Sequence, residues 1–131
     1  QLRGCMGNFN PHTPLWETVQ KQAITAATKD PRFSELQPKE LDDIEIEISV
    51  LSKPREINNW KEIELGKHGV IVKKGPRGGT YLPQVGKEHN WENKQEFLSH
   101  LCKNKAGLPA DCYKDPNTLI QTYTANVFKE N

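Results

Sequence analysis

The sequence predicts an α+β fold with a mainly antiparallel sheet and two principal helices. Three observations carry that expectation. Ile44, Ile46, Ile48 and Val50 alternate with Glu45, Glu47 and Ser49, the period of a strand with one buried and one solvated face. Leu15, Val19, Ala23 and Ala26 recur at spacings of three and four, which is the period of a helix with one apolar stripe. Strand-like and helix-like stretches do not alternate regularly, which argues against a doubly wound sheet.

In chain order, residues 1–6 read as a short strand and Gly7 to Thr13 as a loop. Thr13-Pro14 opens the first helix, a hydroxyl cap ahead of a proline whose fixed φ suits the first turn. Pro31 ends it, because the residue before a proline, Asp30, is steered out of the α region. Leu36-Gln37-Pro38 opens a helical turn through Leu41, and Lys53-Pro54 stops the 44–51 strand. Trp60, Ile63 and Leu65 are the expected anchors of residues 55–65. The flanks of Lys74-Gly75-Pro76-Arg77-Gly78-Gly79 predict a hairpin with a glycine-rich tip. Phe97, Leu98, Leu101 and Cys102 mark a second helix over residues 93–104, and Leu119 to Phe128 reads as a final strand.

A chain of 131 residues with 34% hydrophobic content suits a single domain, 1–131, with a modest core. The net charge of +1 supplies no overall field for nucleic acid or an anionic membrane. No apolar run is long enough to cross a bilayer as a helix. Three cysteines, an odd number at irregular spacing, read as reduced thiols in a cytoplasmic protein.

The chemistry concentrates in Leu2-Arg3-Gly4-Cys5-Met6-Gly7. In extended backbone Arg3 and Cys5 project to one side, and a fixed positive charge near a thiol favours the nucleophilic thiolate. Gly4 and Gly7 allow a close backbone approach that a Cβ would forbid. Cys5 is therefore a candidate nucleophile or redox thiol with Arg3 in support. The competing account makes it a packing cysteine between turn glycines. Arg32, on a backbone stiffened by Pro31, suits bidentate recognition of a carboxylate or phosphate. An internal ion pair to Asp30 or Glu35 explains it equally well. His68 is either a turn residue or a general base, and the Gln84 amide either reaches a cleft or ties a turn. Cys5, Cys102, Cys112, His12, His68, His89 and His100 show no metal-binding spacing, so no metal site is expected. Gly75 to Gly79 lacks the ending of a phosphate-binding loop.

Leu2-Arg3-Gly4-Cys5-Met6-Gly7 also carries a resemblance that continues through Ala26 to Phe33, Ile48 to Leu51, Gly66-Lys67-His68-Gly69, Gly79 to Val85, Trp91, Lys105 to Pro109 and Val127-Phe128. In these blocks the chain resembles the AMME chromosomal region candidate gene domain family, known in prokaryotes as AmmeMemoRadiSam system protein A. The resemblance implies a segment ahead of the cysteine motif, so the domain is expected to be amino-terminally incomplete here. It also implies a setting beside Memo-type and radical SAM proteins, and it names no cofactor. Two functional readings follow. One is a thiol-dependent component of a small-molecule or macromolecule modification pathway that uses Cys5. The other is a non-catalytic ligand- or protein-binding module in which Leu2 to Gly7 is structural.

Overall fold

The computed structural model describes residues 1–130. Its elements in order are α1 (Leu15–Thr28), β1 (Glu47–Leu51), β2 (Arg55–Ile57), β3 (Gly69–Lys74), β4 (Arg77–Tyr81), α2 (Val85–Glu88), α3 (Lys94–His100), β5 (Leu119–Tyr123) and β6 (Ala125–Lys129). The fold is α+β, with a four-stranded antiparallel sheet in the order β2-β5-β3-β4 and a two-stranded sheet of β1 and β6. The chain clusters into two compact units, Val50–Asn126 and Gln1–Ser49 with the residues from Val127 onward.

The Val50–Asn126 unit is built on the predicted hairpin. Lys74 pairs with Arg77, Val72 with Gly79 and Val70 with Tyr81, while Gly75 takes a φ of 59° at the tip, where a side chain would be strained. Val70 and Val72 also oppose Thr122 and Ile120 of β5, so the residues that alternate onto one face are buried together. Phe97, Leu98 and Leu101 close over this core, and the anchor Ile63 is buried in it, with Trp60 and Leu65 packed alongside.

The predicted second helix is present, but it changes pitch. After His100 it continues as a π-helical turn, Leu101–Lys105, in which the Ala106 N–H donates to the Leu101 carbonyl. Cys102 on that turn is bonded to Cys112, with Cα atoms 5.8 Å apart and both residues buried. The expectation of three reduced thiols is thereby corrected. The expected final strand is also two strands. β5 belongs to the larger sheet and β6 to the smaller, and Thr124 between them donates its N–H to the Ser52 hydroxyl.

The other unit is held differently. No residue of α1 is buried, and Leu15, Trp16 and Ile24 are exposed. The half-buried positions run through Glu17, Thr18, Val19, Gln22, Thr25, Ala26 and Ala27, so Val19 and Ala26 of the expected stripe lie on the packed face while Leu15 and Ala23 are exposed. Thr13 does not cap α1. Its hydroxyl pairs with that of Thr18 at 2.8 Å, and the first backbone bond runs from the Thr18 N–H to the Pro14 carbonyl. The strand in the 44–51 stretch begins at Glu47, just after Ile46, whose carbonyl accepts the Glu130 N–H, and Ile48 to Leu51 are uniformly half-buried. A two-stranded sheet covers neither face fully, which removes the expected alternation. The 38–40 turn forms as expected, with a capping box between Gln37 and Glu40.

Candidate functional site

Residues 1–8 form no strand, contrary to the sequence reading. Backbone polar groups need partners, and around the cysteine motif side chains provide them. Arg3 is the first anchor. Its Nε and Nη2 reach Glu40 Oε1 and Oε2 at 3.0 and 3.1 Å, and its Nη1 donates to the Ser34 carbonyl at 2.8 Å. Glu40 accepts the Gln37 N–H at 2.7 Å as well, so one carboxylate joins the 38–40 turn to the motif. The Arg3 guanidinium holds Glu40 below the usual carboxylate range, with the Gln37 amide adding to the effect.

Gly4 is the second. A Cβ at this position would run into the Ala26 carbonyl oxygen of α1, so only glycine permits the approach. Nothing lies near Gly7, whose place in the motif has no packing reason.

Asp30 and Arg32 form the third. Asp30 is 4% exposed, and its carboxylate accepts four hydrogen bonds. Oδ1 takes the Arg32 backbone N–H and Nε–H, each at 3.0 Å. Oδ2 takes Arg32 Nη2 at 2.8 Å and the Cys5 N–H at 2.9 Å. The same Nη2 donates to the Cys5 carbonyl at 3.3 Å. These donors, the Arg32 guanidinium foremost and then the Cys5 amide, hold Asp30 well below its ordinary value against the opposing effect of burial. Cys5 itself is exposed and is the free cysteine of the chain.

Arg3, Gly4, Cys5 and Arg32 are thus brought together in one unit, and Gly7 follows at its edge. His68 and Gln84 belong to the Val50–Asn126 unit. His68 Nδ1 accepts the Glu64 N–H at 2.9 Å, and burial lowers its pKa below the ordinary 6.5. Gln84 precedes α2 without a side-chain capping bond. Sequence reasoning named Asp30 only as a helix terminator and a partner for Arg32. Its bond to the Cys5 amide was missed because it joins residues 25 positions apart. Among the described residues, no three His, Cys, Asp or Glu side chains gather to hold a metal, and no helix is long and apolar enough to cross a membrane. His89 and His100 both stack with Trp91, with ring centroids 4.7 and 4.5 Å apart.

The AMMECR1 family model matches residues 1–128, which include the motif and all three of its anchors. The chain belongs to the AMMECR1 family. Among its relatives, Protein NEQ441 of Nanoarchaeum equitans is 47% identical over 137 residues, covering 100% of this chain and 75% of that protein. Protein MK0488 of Methanopyrus kandleri is also 47% identical, covering 99% of this chain and 65% of its own length. The crystal structure of uncharacterized protein PH0010 from Pyrococcus horikoshii matches with a TM-score of 0.92 at 41% identity, over 98% of this chain and 65% of that one. The chain therefore spans about two thirds to three quarters of these AMMECR1 proteins, whose names state no activity.

Proposed function

We propose that this AMMECR1 chain contributes a reactive thiol, Cys5, to a pathway that modifies a small molecule or macromolecule. One observation carries the reading: Cys5 is free and exposed while its own N–H and carbonyl are both tied to the ion pair of buried Asp30 with exposed Arg32. A packing cysteine would be buried, as Cys102 and Cys112 are. A nucleophile gains from a fixed backbone, because positioning lowers the entropic cost of meeting a substrate. Memo-type and radical SAM proteins are the partners this reading takes from the family resemblance. The test is intact-mass analysis after incubation with reaction mixtures containing such partners. A covalent adduct mapped to Cys5 and absent in Cys5→Ser supports the proposal, and a thiol unmodified throughout contradicts it.

A second reading has its own support. The Arg3 guanidinium is committed to Glu40 and Ser34, which suits a motif whose charge is structural. Under that reading the domain is a binding module, and Cys5→Ser would leave partner binding unchanged.

A further inference from the structure

The Asp30–Arg32 pair does more than close the turn after α1. A turn of this kind needs one bond, from a side-chain oxygen to the N–H two residues on, and Asp30 Oδ1 makes it with Arg32. The remaining oxygen reaches across the sequence to the Cys5 N–H, while Arg32 Nη2 reaches the Cys5 carbonyl. One residue in extended backbone normally exchanges these two bonds with a neighbouring strand. Here a carboxylate and a guanidinium take the neighbour's place. The carboxylate is nine-tenths buried, and the guanidinium side chain is 47% exposed.

We propose that Asp30 is the positioning residue of the Cys5 site, fixing the backbone on both sides of the thiol, directly at the N–H and through Arg32 at the carbonyl. The proposal rests on Cys5 being the reactive group, and it assigns to Asp30 no contact with a substrate. Charge-assisted bonds are about twice as strong as neutral ones, so the pair substitutes for a strand partner with few contacts. Gly4 packs its backbone against Ala26 and Gly7 lies in open space, so the bonds made to the Cys5 backbone itself are those of Asp30 and Arg32.

The test uses the whole chain and the fact that Cys5 is its one free thiol. Amide hydrogen exchange is followed by NMR in wild type, Asp30→Asn, Arg32→Gln and the control Glu40→Gln. A nitroxide attached at Cys5 reports side-chain mobility in each protein. The expected result is exchange of the Cys5 amide at least tenfold faster in Asp30→Asn, with a sharpened, mobile nitroxide spectrum in both Asp30→Asn and Arg32→Gln. Glu40→Gln should change the Cys5 amide less than threefold. Unchanged Cys5 exchange and mobility in both Asp30→Asn and Arg32→Gln would overturn the positioning role while leaving the thiol reading standing. Loss of protection throughout residues 1–49 in both would also overturn it, by making the pair a general fold element. A thiol that refuses the label in folded wild type would instead sink the reactive-thiol reading, and the positioning role with it.

Discussion

The two units of this AMMECR1 domain are held together by different physics. In Val50–Asn126, Val70, Val72, Phe97, Leu98 and Leu101 are almost wholly removed from water, and a disulfide ties the π-helical turn to the Cys112 segment. In the unit carrying the cysteine motif the only buried residue among those described is Asp30, and the exposed Leu2, Met6, Leu15, Trp16 and Ile24 all belong to it. Apolar burial is non-directional and tolerates many arrangements. Ion pairs and backbone-directed hydrogen bonds fix orientation instead, and here they hold the backbone of Cys5.

Four comparisons sharpen that contrast. The largest effect is expected in the core. Leu101→Ala should destabilise by about 2–5 kcal/mol, the range for truncating a buried leucine. Ile46→Ala, at a side chain 43% exposed, should stay near the roughly 0.5 kcal/mol of surface sites. Urea melts compare the two, and equal losses would show that the contrast between units is false.

Removing the disulfide comes next. Cys102→Ser with Cys112→Ser opens a loop of sequence separation 10, worth about 3 kcal/mol by chain entropy. Melts of the double variant beside wild type measure this. A loss near zero would mean that the surrounding core alone holds the segment.

Gly4→Ala should cost about 1–3 kcal/mol as an overpacked contact with the Ala26 carbonyl. Gly7→Ala, in open space, should change stability by about 0.5 kcal/mol or less. Thermal melts of the pair decide whether the second glycine has a packing role after all.

The mildest effect is that of acid on the anchors. Asp30 and Glu40 both lie below their ordinary values of 3.8 and 4.5 in the fold. Groups with lowered folded values contribute stability that is complete above the unfolded value and is lost as pH falls through the folded one. The Cys5 and Gln37 amide signals should therefore hold steady from pH 7 to the ordinary carboxylate range and weaken only below it. Loss of both signals near pH 5 would show that the carboxylates are not held as described.

Much of the fold was legible because its causes are local. The Gly75 tip, the alternation of Val70 with Val72 and the Pro31 stop each act within a few residues. The capping box of Gln37 and Glu40 lies within that range too. What escaped the sequence is long-range or polar. Nothing in the spacing of three cysteines pairs Cys102 with Cys112, and Asp30 before a proline reads as a terminator and a partner for Arg32, with no sign of its bond to Cys5. The stripe of α1 was legible in part: Val19 and Ala26 lie on the half-buried face, which Thr18, Gln22 and Thr25 share, while Leu15 and Ala23 are exposed. At the motif, the sequence joined Arg3 to Cys5 through a shared strand face, whereas in the structure Arg3 binds Glu40 and the Asp30–Arg32 pair holds Cys5.

Cys5 is displayed to solvent while the other two cysteines are bonded inside the core. Brief iodoacetamide treatment of the native protein, followed by non-reducing peptide mapping, tests this arrangement most directly. Cys5 alone should be alkylated, with the Cys102 and Cys112 peptides recovered joined. An unmodified Cys5, or alkylated Cys102 or Cys112 from folded protein, would contradict it.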